Sequence, residues 1–473
     1  MKITTILLFL NILNSMGYSL IAPLFPILGK QNGLNDAIIG WIISTYAITN
    51  AIVTPFIPSL VQKFTRLKLL YLSTFLVATC TILYSFLYYI SSFYLLIISA
   101  IIIRIINGFS SSIVFTLAYS LTISLSEKEY LQKSLGYLEL GLCLGISCGP
   151  LIASIFYKIG GYPLPFLVLG IFLYISVYLT SKIGKEKINS KETEEKKSIP
   201  FIKFFYISEI LIILGSFFTT MIAATFYLPS LTNYIIQRYN FSVSIASLFF
   251  IVPTIFYVTI LQLLDLLSKF FGLYGTACLG LFMMSLGSFL LAPLINIFNN
   301  IVLFIFGFGI LGGGQAPVFI PLLIALSKCI IKNEKNIDEL TANDIATAIN
   351  NLSIAIGEFS GPIIGGYLTS NFGFNYCSFI ISIFIFAYLC IFSCYFSNEI
   401  GSKINDKEEL LEKDKNGNTI LNIKSIRNYF SNYKKAFLLE SNNRNENKKR
   451  NTMNILENID KLDKISLYSS LTK

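Results

Sequence analysis

The feature that most constrains this chain is a series of long apolar segments that recurs along most of its length. A helix that crosses a bilayer needs about 20 mostly apolar residues. Twelve segments satisfy this requirement: residues 4–26, 38–61, 69–90, 93–119, 134–157, 164–182, 204–229, 241–264, 271–297, 300–327, 345–370 and 373–396. Only 13% of the residues are charged, against about a quarter in soluble domains. The sequence therefore predicts an all-α membrane protein with twelve transmembrane helices in a lipid bilayer.

Two polar stretches divide the apolar segments. One is rich in Lys and Glu and lies between the sixth and seventh segments; the other begins near Glu399 and runs to the end of the chain. Such composition cannot bury enough apolar surface to fold. We predict an N-terminal six-helix bundle (1–182), a cytoplasmic linker (183–203), a C-terminal six-helix bundle (204–396) and a largely disordered cytoplasmic tail (397–473).

The distribution of Lys and Arg predicts the orientation, because cytoplasmic loops carry an excess of these residues. With the N-terminus in the cytoplasm, the opposite side carries Lys30, Lys158 and Arg238. The cytoplasmic loops carry Lys63, Arg66, Lys68, Lys128, Lys133, Lys182, Lys185, Lys187, Lys191, Lys196, Lys197, Lys203, Lys269, Lys328, Lys332 and Lys335. Both termini are therefore predicted to be cytoplasmic, in a vesicle, endomembrane or plasma membrane.

The fifth and eleventh segments share a pattern of small residues. Gly145-x3-Gly149-Pro150 recurs in the second half as Gly357-x3-Gly361-Pro362. In lipid, small residues let neighbouring helices approach closely, and two like halves around a central site are what alternating-access transporters use. We expect the following residues to act as conformational hinges: Gly136, Gly145, Gly149, Pro150, Gly357, Gly361 and Pro362.

These motifs resemble the major facilitator superfamily. Gly136-x8-Gly145-x3-Gly149-Pro150 is similar to the fifth-helix motif that the family associates with antiporters, and Arg104-x3-Gly108 is similar to its fourth-helix arginine motif. The loop after the second segment matches the family in part, keeping only its basic residues. The resemblance implies a cytoplasmic gate formed by Lys63, Arg66 and Lys68, with Asp265 of the second half as the acidic partner.

Other stretches resemble the vesicular amine and polyamine transporter branch, solute carrier family 18. They are Ala22-Pro23-Leu24-Phe25-Pro26, Glu139 before the glycines, residues 160–166, and Gly357-Glu358-x2-Gly361-Pro362. The resemblance covers residues 4 to 396. It implies the two-bundle major facilitator fold and transport of small organic solutes.

Four charged side chains lie within the predicted spans: Arg104, Glu139, Glu209 and Glu358. A charge at the bilayer centre costs at least about 2.5 kcal/mol, so each is a candidate functional group. We hypothesise that Arg104 and Glu139 communicate and that Glu139 alternates between proton and cationic substrate; the alternative is a static ion pair. We expect Glu358 to be a counter-charge for an amine; the alternative is a carboxylate whose hydrogen bonds come from the backbone or from Ser360. Glu209 reaches the cytoplasmic surface and is structural.

Two asparagines complete the predicted site for substrate and proton coupling. Asn14 occupies the first segment, where monoamine transporters of the branch place an acidic residue. Asn351 is the counterpart of Glu139 in the second half, whereas Glu358 corresponds to Ile146. The unmatched carboxylates are therefore where substrate and proton are expected to bind.

These features together predict a secondary active transporter and not an enzyme. There is no histidine, and no nucleophile–base pair, phosphate loop or metal-type cysteine spacing is evident, so no cofactor or metal is expected. We predict proton-coupled antiport of small organic solutes, first cationic amines or polyamines, by a monomer that binds no nucleic acid. The alternatives are an exporter of drugs or other metabolites and a transporter-like sensor or adaptor that moves no solute.

Overall fold

A computed structural model describes residues 3–125, 131–181, 201–293, 300–334, 339–400, 411–413 and 419–421. The chain divides into two compact units, Met1–Ser397 and Asn398–Lys473. The first unit contains fifteen α-helices among its described residues, joined by short turns and a few 3₁₀ segments. In the second unit, β1 (Leu411–Lys413) pairs antiparallel with β2 (Thr419–Leu421). Residues 401–410, 414–418 and 422–473 of the predicted disordered tail lie outside the described residues.

The first six predicted spans correspond to seven helices because the second span is interrupted at Thr54–Phe56. The helices are α1 (Ile3–Gln31), α2 (Asp36–Val53), α3 (Ile57–Lys63), α4 (Arg66–Phe86), α5 (Phe93–Leu125), α6 (Leu131–Gly160) and α7 (Pro163–Ser181). Asn35 begins α2 as its N-cap, since its side chain accepts a hydrogen bond from the Ile38 backbone N–H. The predicted linker lies outside the described residues up to residue 200, and residues 201–206 form a 3₁₀ turn.

The second six spans correspond to eight helices. They are α8 (Ser208–Thr225), α9 (Leu231–Tyr239), α10 (Val243–Leu248), α11 (Val252–Leu291), α12 (Ile301–Gly313), α13 (Gln315–Asn333), α14 (Glu339–Phe372) and α15 (Phe374–Tyr395). Within α11, Gly272 has φ 71° and separates the eighth span from the ninth. The sequence interpretation of Asp265 and Lys269 as loop residues is therefore wrong, because the eighth span stays helical until this glycine provides the left-handed turn.

Eleven helical segments among the described residues are long and apolar enough to cross a membrane. They coincide with predicted spans one to ten and twelve. The predicted eleventh span is α14, which at 34 residues is long enough to cross but carries more polar side chains. The prediction of an all-α, twelve-helix membrane protein is confirmed.

The two halves repeat one packing arrangement between their first and fifth spans. In the first half, the Asn11 side chain on α1 donates a 2.8 Å hydrogen bond to the Leu138 carbonyl of α6. In the second half, the Ser353 hydroxyl on α14 donates a 2.6 Å hydrogen bond to the Leu214 carbonyl of α8. Each bond satisfies a polar group in the apolar interior, as lipid-embedded helices require.

Candidate functional site

The central charge of the first half is Arg104 on α5. Its side chain is 1% exposed, and its Nη2 atom donates a 3.1 Å hydrogen bond to the Ile43 carbonyl of α2. The guanidinium carbon lies 5.0 Å from the centroid of the Tyr46 ring, where the negative face of the ring stabilises a cation. Nε and Nη1 have no hydrogen-bond partner among the described residues. Arg104 therefore places a positive charge with unused donors in the interior.

A directed hydrogen-bond chain joins the three helices around Arg104. The Tyr46 hydroxyl of α2 donates to Ser111 Oγ of α5 at 2.8 Å. The Ser111 hydroxyl in turn donates to Asn14 Oδ1 of α1 at 2.7 Å. All three side chains are buried, so each hydroxyl uses its only proton inside the protein. The predicted site residue Asn14 thus holds the end of a chain that fixes the Tyr46 ring beneath Arg104.

The carboxylate of the second half lies within electrostatic range of this network. Glu358 on α14 is half-buried, and it interacts electrostatically with Tyr18 of α1. The Tyr18 and Tyr46 ring centroids are 5.1 Å apart. The charge of Arg104 acts on Glu358 electrostatically. A cationic group and an anionic group from opposite halves thus interact electrostatically, and Tyr18 and Tyr46 belong to the same set of interacting groups.

Ser360 does not satisfy Glu358, which settles one alternative from the sequence. The Ser360 hydroxyl donates instead to the Ile356 carbonyl, one helical turn earlier, at 2.7 Å. Helical spacing alone cannot identify the electrostatic interaction of Glu358 with Tyr18, because the two residues are remote in sequence. The sequence did offer one signal for Tyr18: its helical spacing from Asn14 on α1, which places both residues on one face.

Asn351 is exposed and lies two helical turns before Glu358 on the same face of α14. Its neighbour Asn350 is the buried one, with Oδ1 unpaired among the described residues. The side chain of Glu139 lies outside the described residues, so the predicted communication between Arg104 and Glu139 stays a prediction. In the described part of the chain, Glu358 is the carboxylate that interacts electrostatically with Arg104.

Glu209 is held by other elements of the second half. Its Oε1 atom accepts a 2.9 Å hydrogen bond from the Tyr274 hydroxyl of α11, and it interacts with the Cys329 thiol of α13. These contacts tie α8 to two neighbouring helices, which is a structural arrangement. A cavity of about 390 Å³ nearby, between α8, α14 and α15, has no charged side chain in its lining and does not include Glu358.

The paired glycines of α6 and α14 are packing positions. A Cβ atom at Gly145 would meet the Ile12 carbonyl oxygen of α1, and one at Gly149 would lie 2.9 Å from the Met16 carbonyl oxygen. In the second half, a Cβ atom at Gly357 would lie 2.7 Å from the Phe218 carbonyl oxygen of α8. Both helices run unbroken through these glycines and through Pro150 and Pro362. Their hinge role stays a prediction, and the surroundings of Gly136 lie outside the described residues.

The halves close against each other at the end where α1 finishes and α2 begins, through contacts that we call the seal. A Cβ atom at Gly40 of α2 would meet the Pro362 carbonyl oxygen of α14, and one at Gly366 would meet the Asp36 carbonyl oxygen. The Ala37 backbone N–H also donates a 3.0 Å hydrogen bond to Ser370 Oγ. Neither Gly40 nor Gly366 was among the site residues predicted from the sequence.

A salt bridge lies beside the seal. Lys30 Nζ is 2.7 Å from Asp36 Oδ2, and the Asp36 side chain is buried. At the predicted cytoplasmic gate, Lys63 and Lys68 are exposed and Arg66 is half-buried at the start of α4. The side chain of Asp265 lies outside the described residues, so the gate stays a prediction.

A two-half bundle of membrane-crossing helices with a charged cluster between the halves is the architecture of a membrane transporter. The Major Facilitator Superfamily model matches residues 7–335. The chain belongs to the major facilitator superfamily, whose members are secondary transporters and not enzymes.

Named relatives match most of the chain. The MFS-type transporter SLC18B1 of Homo sapiens is 23% identical over 78% of this chain and 80% of its own length. Multidrug resistance protein 1 of Bacillus subtilis is 22% identical over 77% of this chain and 89% of its own length. The match to SLC18B1 confirms the resemblance to the solute carrier 18 branch.

Solved structures show the same fold. A bacterial homolog of the human lysosomal transporter Spinster, in an inward-facing and occupied conformation, matches with a TM-score of 0.67 at 12% identity, over 84% of this chain and 96% of that one. A D-xylose-proton symporter matches with a TM-score of 0.64 at 15% identity, over 82% and 96%. The protein is thus a multi-pass integral membrane protein with the major facilitator fold.

Proposed function

We propose that the protein is a proton-coupled antiporter of small organic cations, with amines or polyamines as the first candidates, working by alternating access. The observation that carries the proposal is the position of Glu358. Its half-buried carboxylate belongs to the second half and interacts electrostatically with Tyr18 and Arg104 of the first half. An ionisable group inside a membrane protein marks a substrate or proton pathway by default.

Competition for one carboxylate supplies the coupling. Glu358 can carry a proton or pair with a cationic substrate, but both together would leave an extra positive charge beside Arg104 in a poorly solvated site. The rings of Tyr18 and Tyr46 offer faces for an ammonium group. Binding of the cation therefore expels the proton, and protonation releases the cation, which is the exchange that antiport requires.

Two further proposals complete the picture. The positive charges of the cytoplasmic loops support cytoplasmic termini, which makes the seal the non-cytoplasmic end of the bundle. In that orientation the seal is closed toward the lumen or the exterior, and the Glu358 cluster is approached from the cytoplasm. We also propose that one copy of the chain forms the complete pathway, since both halves of the cluster come from the same chain.

A flux assay in proteoliposomes tests the proposal. Protein is reconstituted in vesicles with an acidic lumen, and uptake of radiolabelled spermidine, a monoamine and a lipophilic cation is measured with and without the pH gradient. Gradient-dependent uptake of at least one cation is expected. Glu358→Gln keeps the shape of the side chain and is expected to abolish the gradient-driven component.

Glu209→Gln is the matched control, because it removes a carboxylate that contacts Tyr274 and lies outside the cluster. It should retain the gradient-driven uptake. Equal activity of Glu358→Gln and the unmodified protein would disprove the assignment. The multidrug resistance relatives favour a second candidate, efflux of lipophilic cations, which uptake restricted to the lipophilic probe would identify. Binding of a probe without flux would identify a sensor.

A further inference from the structure

The last transmembrane helix carries two free cysteines on its outer surface. Cys390 and Cys394 of α15 are both exposed, whereas the other six cysteines of the chain are buried or half-buried. The two are one helical turn apart, so their side chains lie on the same face of the helix. Because α15 is a membrane-spanning helix in which most of that face is apolar, an exposed side chain there is in contact with lipid.

The position of Cys394 along α15 places it at a membrane surface. The helix begins at Phe374, and the stretch from there to Cys394 is about 30 Å long, which equals the thickness of the hydrocarbon core. Cys390 lies about 6 Å deeper. In the orientation proposed above, this end of α15 is the cytoplasmic one, where thiols stay reduced. Cys394 is therefore a reduced thiol at the boundary between water and lipid.

The direction of the Cys394 side chain favours an attached chain that runs back into the bilayer. Side chains of a helix tilt toward its N-terminus, and α15 has its N-terminus at the opposite membrane surface. From Cys394 the same face continues inward through Cys390 and Ala387, which are small and exposed. Phe386 and Ile391 flank this row and are more than half exposed. A hydrocarbon chain attached to Cys394 fits along the row, between these two large side chains.

We propose that Cys394, with Cys390 as a second acceptor, is a site of reversible S-acylation by a long-chain fatty acyl group. Cysteines next to a membrane surface are the usual acceptors of this modification. The donor is an acyl-coenzyme A thioester, whose carbonyl carbon is attacked by the cysteine sulfur. A thioester bond to Cys394 Sγ forms, the bond from the acyl carbon to the coenzyme A sulfur breaks, and the thiol proton passes to the departing coenzyme A. Nothing is oxidised or reduced in this exchange.

The modification acts on the residues that join the last span to the second compact unit. That unit begins at Asn398, shortly after Cys394, and no cysteine follows Cys394 in the sequence. An acyl chain buried in lipid adds an anchor at this junction. The inference goes beyond the proposed transport activity and uses only the proposed orientation, because neither cysteine belongs to the Glu358 cluster.

Acyl exchange on the full chain tests the inference. The protein is expressed in yeast and in cultured animal cells, and its free thiols are blocked with N-ethylmaleimide. Thioesters are then cleaved with neutral hydroxylamine, and the released thiols are labelled with a polyethylene glycol maleimide. We expect labelling that depends on hydroxylamine. Cys394→Ser should lose most of the label, and Cys390→Ser/Cys394→Ser should lose all of it. Cys278→Ser is the matched control, since its half-buried thiol lies 3.4 Å from the Ser393 hydroxyl inside the bundle, and it should keep the label.

A second measurement does not depend on a cellular acyltransferase. Purified protein in phosphatidylcholine vesicles is incubated with radiolabelled palmitoyl-coenzyme A, and the label bound to the protein is counted before and after hydroxylamine. The unmodified protein and Cys278→Ser should take up label that hydroxylamine removes. Cys390→Ser/Cys394→Ser should remain at the background level.

The outcomes separate this inference from the proposed function. Absence of hydroxylamine-dependent label from both cell types and from the vesicles overturns S-acylation, and so does label that persists in Cys390→Ser/Cys394→Ser. The same double variant should show the gradient-driven cation uptake of the unmodified protein, so a failure of acylation leaves the antiporter intact. Acylation of Cys394 in a protein that moves no cation supports the site and overturns the antiporter alone.

Discussion

Adding one methyl group at the seal should shift the protein toward the conformation in which the seal is open. At Gly366, a Cβ atom would lie 3.2 Å from the Ala37 Cα atom and against the Asp36 carbonyl group of the opposite half. At Gly40, it would meet the Pro362 carbonyl group and lie 3.5 Å from the Ile363 Cα atom. All of these atoms belong to the backbone, so no flexible side chain can move aside.

The magnitude follows from the cost of overpacking, which is about 1–3 kcal/mol for added atoms at a close-packed position. This cost falls only on the sealed conformation, because the contacts cross from α2 to α14. A free-energy difference of about 1–3 kcal/mol changes an equilibrium about 5- to 150-fold. Gly366→Ala and Gly40→Ala should each produce such a shift, and the folded protein should remain because neither contact lies within one half.

Distances between spin labels measure the shift. Labels at Gln31→Cys and Asn371→Cys, exposed at the ends of α1 and α14, report separation of the halves in a background without native cysteines. Gly366→Ala should populate a longer distance than the parent. Gly17→Ala is the matched control, since the nearest atoms to its Cβ position are 3.9 Å away and belong to the same half. An unchanged distance distribution in Gly366→Ala and Gly40→Ala would refute the assignment of these glycines to the seal.

Three further substitutions have defined outcomes. Gly361→Ala would bring a Cβ atom against Thr225 within the second half, so it should lower the melting temperature in detergent without changing the distance between labels. Lys30→Met leaves the Asp36 carboxylate without its salt bridge. This loss should lower the free energy of unfolding by about 1–2 kcal/mol, discounted for the partial exposure of Lys30. Thermal unfolding measures the effect, with Asp36→Asn compared in the same assay. Ser111→Ala breaks both hydrogen bonds of its chain and should cost about 1–3 kcal/mol in the same assay.

The architecture could be predicted from the sequence because lipid imposes a strict rule. Each span must form all of its backbone hydrogen bonds within an apolar helix. A run of about 20 apolar residues is therefore a local sequence signal for each span. The turn between the eighth and ninth spans was misplaced because the chain stays helical through Asp265 and Lys269, whose charges suggested a loop. Only Gly272, with its positive φ, ends the helix, and the sequence around it is as apolar as the spans.

The candidate site could be predicted only in part, because its partners depend on how distant helices pack. Charge inside a span identified Arg104 and Glu358 without a structure, since that signal is local. The electrostatic interaction of Glu358 with Tyr18 relates residues that no periodicity connects. Asn351 was predicted by analogy with Glu139, and the structure places it exposed, two turns from the carboxylate. Gly40 was missed because its need for a small side chain comes entirely from Pro362 of the other half.

The asymmetry between the halves gives the duplicated fold its chemistry. Gly145 and Gly357 serve equivalent packing contacts, so the glycine repeat stabilises each half in the same way. Beside it, Glu358 stands where the first half has Ile146, and Arg104 belongs to the half that lacks this carboxylate. Because the two charges lie on different halves, a movement of one half against the other that opens the seal would change their separation, and we expect neutralisation of Glu358 to change the free energy of that movement. Two charges on one half would move together, so their interaction would not respond to it.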